Sequence, residues 1–523
     1  MWLHSEVITL GDIPRYWARR KPGARALIDG SAVTTWAELD ASSDRIAQAL
    51  VSTGIRCPAN VGFLGKNSAL YFELLFGVTK AGLAMAPLNW RLSIPELVAI
   101  TDDAQCPVVF VDSEFSEVLD AVAAQCATRF EIVRLSTPAG ARSGLDQWLQ
   151  RGVDADLPRV HPLDTAVLIY TSGTTGKPKG VEETHRAFDG MRLCEHLGNV
   201  FDWQDGDVML TVMPVFHLVG TGLSIQALYN GAAISVLPML EPVSVLKVIA
   251  RDRPSICALV PTAIQLLADH PESESTDFSS LRVIMYAGSS IASAVLQRAI
   301  KRMGCGFAQF YGASETLSAQ TLLRPEEHDP ANEQRLRSCG RPLPQIEFKV
   351  VDPEGREVPT GTVGEFWVRG PSIFRSYWRQ PEATAAALHE GWYRTGDAGY
   401  RDAEGFLYIV DRVKDMIVSG GENVYSAEVE QALAKHPAVQ SCAVVGLPDA
   451  KWGEAVTAVV VLRQGAQATA SEIITHCRGL IAAYKAPKQV HFALSLPMTS
   501  SGKIMKREVR ALYLRDRSAD QKA

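Results

Sequence analysis

Ala166-Val-Leu-Ile-Tyr170 runs without a break into Thr171-Ser-Gly-Thr-Thr-Gly-Lys-Pro-Lys-Gly180. The first five residues are apolar or aromatic throughout, the pattern of a strand buried on both faces. The ten that follow hold four hydroxyls (Thr171, Ser172, Thr174, Thr175), three glycines and two lysines, Lys177 and Lys179. Glycine lets backbone N–H groups come close to an oxyanion, and hydroxyl and ammonium donors add to the cradle, so the segment reads as a phosphate loop. It is not a Walker A loop. Gly173 and Gly176 are too close together, and Pro178 stands after Lys177 where that motif needs Ser or Thr. Pro178 also disfavours helix at Lys177, so the loop is not expected to feed straight into a helix N-terminus.

On either side of this segment short β-branched runs recur: Val108–Asp112, Ala232–Pro238, Ile256–Pro261 and Val283–Tyr286. Amphipathic stretches such as Trp36–Leu50 lie between them, with Leu39, Ile46 and Leu50 on one face. Strands alternating with helices predict α/β layers built on largely parallel sheet. Near Gln345 the pattern changes to Ile346–Asp352, Gly364–Gly370 and Gly405–Arg412, separated by Gly-containing turns, which predicts a small antiparallel β unit. After Arg412 helix and strand alternate again: helix Ala427–Lys435, strands Ala443–Val445 and Val456–Leu462, helix Ala470–Ala483. The expected division is therefore 1–410, a multi-part α/β domain, and 411–523, a smaller mobile α+β domain. No repeat of fixed period is evident.

Composition bounds the function. The 523 residues are 47% hydrophobic and 21% charged, with 40 Gly and 28 Pro, ordinary values for a globular chain. A formal charge of −6 gives no reason to expect nucleic-acid binding. The charge is uneven: from Arg412 onward there are fifteen Lys/Arg against ten Asp/Glu, net +5, which leaves −11 on the remainder. A polyanionic ligand, or merely two differently solvated surfaces, suits that split. Nine scattered cysteines without a C-x-x-C pair point to reduced thiols and a cytoplasmic setting. Glu6 and Asp12 interrupt any signal-peptide core, and no apolar window is long enough for a spanning helix.

Further segments follow the loop in a fixed order: Pro214-Val-Phe-His217, Ala287-Gly-Ser289, Gln309-Phe-Tyr-Gly-Ala-Ser-Glu315, Tyr393-Arg-Thr-Gly-Asp397 and Asp411-Arg-Val-Lys-Asp415. Ser419-Gly-Gly-Glu-Asn-Val-Tyr425 and Pro497-Met-Thr-Ser-Ser-Gly-Lys503 complete the set. With these motifs in register, from Thr35-Trp-Ala-Glu-Leu39 to Lys503, the chain resembles the adenylate-forming superfamily of acyl-CoA synthetases, luciferases and peptide-synthetase adenylation domains.

The resemblance implies roles. Activating a carboxylic acid with ATP sets an anionic oxygen against an anionic α-phosphate, so charge repulsion must be cancelled. Thr171 and Glu315 match the family's pair linked to Mg²⁺. Thr171, Ser172, Gly173, Thr174, Thr175 and Lys179 match the phosphate loop, and Gly288 and Ser289 the nucleotide end of the acyl pocket. Tyr311 is expected to stack on adenine, Asp397 to hold the ribose hydroxyls, and Arg412 to reach ribose or phosphate. Asp411 matches the hinge between two half-reactions. Lys503 is expected to contact the attacking carboxylate and α-phosphate, while Gly420 and Gly421 match a loop lining the pantetheine tunnel. His217 reads either as an acyl-site group or as a core histidine. Met213–Gly222 carries no acid, which argues against an α-amino acid substrate.

Four positions depart from the family's commoner pattern. Phe310 stands where Gly is usual before the tyrosine, so the acyl pocket is expected to be walled or redirected there. Ser314 replaces Thr, and Ala287-Gly-Ser289 replaces Gly-Gly-Ala. The expected activity is an ATP-dependent acid:CoA ligase forming acyl-AMP and pyrophosphate, then acyl-CoA and AMP, acting on a hydrophobic, medium- or long-chain fatty acid. An aryl or hydroxycinnamic acid is the alternative; a luciferase-like oxygenase, a carrier-protein adenylating enzyme and a non-catalytic ATP-binding protein are the remaining rivals. ATP, CoA and a small acid are the expected partners, with no nucleic acid and no membrane segment, and a homodimer stays open.

Overall fold

A computed structural model of the protein describes residues 4–135, 143–152, 155–171, 178–287, 291, 293–317, 319–420, 422–449, 451–498 and 504–520. The chain divides into two compact units, Met1–Phe348 with Val368–Tyr393, and Lys349–Trp367 with Arg394–Ala523.

Two sheets organise the first unit. One runs, in spatial order, Glu131–Arg134, Val108–Val111, Asn60–Leu64, Ala84–Leu88, Thr165–Thr171 and Lys179–Thr184. Its neighbours are parallel until the last pair, which is an antiparallel hairpin. Every residue of Asn60–Leu64 and Ala84–Leu88 is buried, as a parallel sheet covered on both faces requires. The second sheet has nine strands, parallel from Gly306–Tyr311 through to Arg25–Asp29, with antiparallel strands added at both edges.

Local chemistry sets the helices between strands. Trp36–Ser52 opens on a capping box in which the Glu38 side chain accepts from the Thr35 N–H at 2.8 Å, and it buries Trp36, Leu39, Ile46 and Leu50. Burying a side chain of this size stabilises by about 1.5–3 kcal/mol. His185–Gly198 follows the hairpin directly, with Thr184 accepting from the Ala187 N–H at its start.

The second unit holds Leu407–Arg412, which pairs antiparallel with the later part of Trp392–Arg401. A further sheet runs Glu422–Val424, Ile417–Ser419, Gly453–Leu462 and Val439–Asp449, and Gln489–Phe492 lies parallel to Gly453–Leu462. One expectation changes here. The helix expected to reach Ala483 ends at Arg478, because the Gly479 N–H turns back to the carbonyls of Thr475 and His476. Thr395-Gly-Asp397 lies inside the strand Trp392–Arg401, where Gly396 takes a φ of 70° and Asp397 pairs with Arg412.

No helix among the described residues is long and apolar enough to cross a membrane. All nine cysteines are free thiols.

Candidate active site

The strands Thr165–Thr171 and Lys179–Thr184, which flank the phosphate-loop segment in sequence, form an antiparallel hairpin. Thr171 and Lys179 are register partners at its mouth, and the chain resumes as a strand at Lys179. Ser172, Gly173, Thr174 and Thr175 lie outside the described residues. The Lys179 ammonium sits 4.5 Å from the centroid of the Tyr377 ring, within cation–π range. The Tyr377 hydroxyl donates to Glu315 Oε1 at 2.7 Å. One aromatic side chain thus links the lysine at the loop's end to the glutamate expected at the metal.

Backbone pairing places that aromatic. Glu182 N–H donates to the Ser376 carbonyl at 3.0 Å, Arg375 N–H to Glu182 at 3.0 Å, and Trp378 N–H to Gly180 at 2.7 Å, so the 374–378 segment lies along the hairpin's outer strand. The Phe374 N–H donates to the Glu315 carbonyl at 2.9 Å and fixes the turn Ser314–Thr316 from the other side. Nothing local in Ser376-Tyr-Trp378 advertises this role; it depends on pairing across about two hundred residues of sequence.

Glu183 is a second residue that sequence reading missed. On a strand of period two it shares a face with Lys179 and Val181, and its strand packs against the turn bearing Glu315. The side chain is fully buried, and among the described residues neither carboxyl oxygen has a hydrogen-bond partner. Burial first, and the charge of Glu315 second, push its carboxyl well above the ordinary range. An ionised carboxylate in that position would be very costly, so Glu183 is held neutral.

Glu315 and the Thr171 hydroxyl are oxygen donors of the kind a hard cation takes, and Glu183 lies close enough to Glu315 to feel its charge. Mg²⁺ bound through one carboxylate and the phosphates of a nucleotide fits such a set. Among the described residues no group of three or more His, Cys, Asp or Glu is assembled for a metal.

Along the strand Gly306–Tyr311, Phe310 is buried and packs on Phe201 at 6.1 Å, with Trp203 beyond at 5.2 Å from Phe201. The Tyr311 ring is half-buried, 6.4 Å from Phe348. His217 stands at the start of the helix Leu218–Tyr229, half-buried, its ring 4.7 Å from that of Phe216. Phe216 meets Trp90 edge-on at 6.4 Å, so His217 borders an aromatic wall. Ser314 opens the turn that carries Glu315, whereas Gly288 and Ser289 lie outside the described residues.

In the second unit Asp397 and Arg412 are register partners on adjacent strands, and their side chains form an ion pair at 2.6 Å with Asp397 nearly buried. Arg412 also reaches the Thr395 carbonyl at 3.3 Å. Gly420 has a φ of 65°, and its N–H donates to the Trp452 carbonyl at 2.7 Å. A Cβ there would come within 3.0 Å of the Trp452 ring, so the position demands glycine. Gly421 and Lys503 lie outside the described residues.

A family model for AMP-binding enzymes matches residues 14–378, and one for the AMP-binding enzyme C-terminal domain matches residues 428–503. The chain belongs to the AMP-binding enzyme family. Within that family it is 36% identical over 518 residues to the fatty acid–[acyl-carrier-protein] ligase ScoC of Streptomyces coeruleorubidus, covering 98% of each chain. It is 37% identical to a feruloyl-CoA synthase of an Amycolatopsis species, over 96% of this chain and 99% of that one. Its fold superposes on the crystal structure of ATP-bound MatB from Rhodopseudomonas palustris with a TM-score of 0.86 at 28% identity, over 97% and 99% of the two chains. With CoA ligases among its relatives over nearly the whole chain, the protein is an enzyme, an ATP-dependent, AMP-forming acid:CoA ligase.

Proposed function

We propose that this enzyme activates a hydrophobic carboxylic acid, of the medium- or long-chain fatty class, and hands the acyl group from AMP to CoA. The observation that carries the nucleotide half is the Lys179–Tyr377–Glu315 connection, which joins the phosphate loop to an acidic turn. The hydrophobic class is supported by the aromatic wall of Trp90 and Phe216, by the Phe201–Phe310 packing, and by the lack of any acid in Met213–Gly222.

In this reading the hydroxyls and N–H groups of Thr171 to Thr175, with Lys179, bind the phosphates, and Tyr311 stacks on adenine. Gly288 and Ser289 line the nucleotide end of the acyl pocket, Ser314 presents Glu315, Asp397 holds the ribose, and Arg412 is held by Asp397 to meet the ribose or phosphate. Glu315 and Thr171 hold Mg²⁺, which when bound neutralises phosphate charge. Lys503 brings the cation that lets the carboxylate approach the α-phosphate, and Asp411 is the hinge between adenylation and thioester formation. His217 borders the acyl group, and Gly420 with Gly421 lets a narrow pantetheine arm pass. Cytoplasmic residence belongs to the same reading and rests on the nine reduced thiols.

A hydroxycinnamic acid is the second reading, favoured by the aromatic wall and by the feruloyl-CoA synthase relative. Octanoate, palmitate, cinnamate, ferulate and acetate, each assayed for AMP release with CoA, decide between the two. The fatty acids are expected to lead and acetate to be inactive; a preference for ferulate overturns the fatty-acid reading. Replacing CoA with a phosphopantetheinylated carrier protein tests the acceptor, and faster transfer to the carrier overturns CoA.

A further inference from the structure

A chain of charge-assisted hydrogen bonds runs through the second unit. Asp411 Oδ2 accepts from Ser426 Oγ at 2.6 Å and from the Ala427 N–H at 3.3 Å, and Oδ1 accepts from the Arg412 N–H at 2.8 Å. Lys506 Nζ donates to Ser426 Oγ at 2.6 Å and pairs with Glu430 Oε1 at 2.9 Å. Glu430 Oε1 in turn accepts from the Val444 N–H at 2.8 Å. Ser426 is fully buried and Asp411 nearly so. An ammonium only donates and a carboxylate only accepts, so the serine must take from Lys506 and give its one proton to Asp411. The direction of the chain is therefore fixed, and every member has a partner.

Lys506 opens the C-terminal helix Lys506–Asp520, three residues after Lys503. On either side of residues 499–503 the described residues pair with each other: Met505 N–H donates to the Pro497 carbonyl at 2.9 Å, and Met498 pairs with Ile504 in an antiparallel bridge. Val509, one turn into the helix, is buried with Leu496 against the sheet. The ammonium of Lys506 thus connects this paired base to the Asp411 carboxylate.

We propose that Lys506 and Ser426 are positioning residues for adenylation, fixing the base of the Lys503 segment to the hinge acid Asp411. The inference rests on the roles given above to Lys503 and Asp411. A displacement of about 1 Å at a reacting group can cost about a hundredfold in rate. A structural ion pair alone would, when broken, lower stability and both half-reactions together.

The test measures both half-reactions of the full-length enzyme: acid-dependent exchange of pyrophosphate into ATP, and thioester formation from supplied acyl-adenylate and CoA. Lys506→Met is expected to lower the exchange kcat by about ten- to a hundredfold, with KM for ATP and acid nearly unchanged and thioester formation intact. Lys506→Arg restores most of the exchange, and Ser426→Ala gives a smaller loss in the same half-reaction. If Lys506→Met does not fold, Ser426→Ala alone carries the test. Equal loss in both half-reactions, or exchange left at the wild-type rate, overturns the inference. Lys503→Ala run alongside separates the two levels: if it keeps full exchange, the underlying reading falls; if it abolishes exchange while Lys506→Met and Ser426→Ala leave it at the wild-type rate, only the positioning role falls.

Discussion

The Tyr377 hydroxyl and the Glu315 carboxylate share one hydrogen bond, 2.7 Å from oxygen to Oε1. Burial and the Glu315 charge both raise the phenol's pKa, so it stays protonated and can only be the donor. Its ring meanwhile carries Lys179 on its face.

Tyr377→Phe should keep the ring under Lys179 and lose the bond to Glu315. A hydrogen bond to a charged group is worth about 2 kcal/mol, so adenylation is expected to fall by about tenfold or somewhat more, with a higher Mg²⁺ requirement. Pyrophosphate exchange titrated with MgCl₂ checks this. An unchanged Mg²⁺ midpoint would show that Tyr377 does not orient Glu315.

Lys503→Ala should lose about 10²–10³ in acyl-adenylate formation, the usual effect of removing one electrostatic stabiliser. Thioester formation from supplied acyl-adenylate should survive. Parallel loss of both, with folding intact by circular dichroism, contradicts the assignment.

Glu183 and His185 stand on either side of the strand-to-helix junction and pull stability in opposite directions with pH. Glu183 is held neutral, its folded pKa lying above the ordinary 4.5. The native state therefore binds the extra proton, and stability falls as pH rises from about 4.5 toward the folded value. Glu183→Gln should remove that slope and raise stability near neutrality, read by urea unfolding across pH. The buried His185 ring accepts from the Leu10 N–H at 3.1 Å, and burial lowers its pKa from 6.5 to about 4. Here the unfolded state binds the proton first, so the contribution is complete above pH 6.5 and is lost on acidification toward 4. His185→Gln should flatten this acid limb, by an amount on the order of 3 kcal/mol for a shift of that size.

Phe310→Ala should open space beside Phe201 and move acid preference toward bulkier substrates, at the cost of a core cavity worth about 3–5 kcal/mol. Relative kcat/KM for decanoate and palmitate before and after the change, with Tm alongside, separates the two effects.

Much of this was legible because its signal is local. Ala166–Tyr170 is apolar at every position and becomes the core of Thr165–Thr171; Pro178 blocks helix, and Lys179 begins a strand. Thr395-Gly-Asp397 carries no local strand signal, because a left-handed glycine inside a ladder looks, one residue at a time, like one in a turn. Tyr377 and Glu183 were invisible for a different reason. Each acquires its role from a partner that only strand pairing brings near, Glu315 in both cases, and neither carries a spacing that announces it. Lys506 was likewise passed over beside the more conspicuous Lys503, since Ser426 and Asp411 lie some eighty residues or more away in sequence.

Exchange of labelled pyrophosphate into ATP, with enzyme, Mg²⁺ and a fatty acid but no CoA, is the decisive measurement of acid activation by this enzyme. The expected result is exchange that requires the acid, stops without it, and yields acyl-CoA and AMP once CoA is added. Acid-independent release of ADP and phosphate, with no exchange for any acid offered, would contradict it.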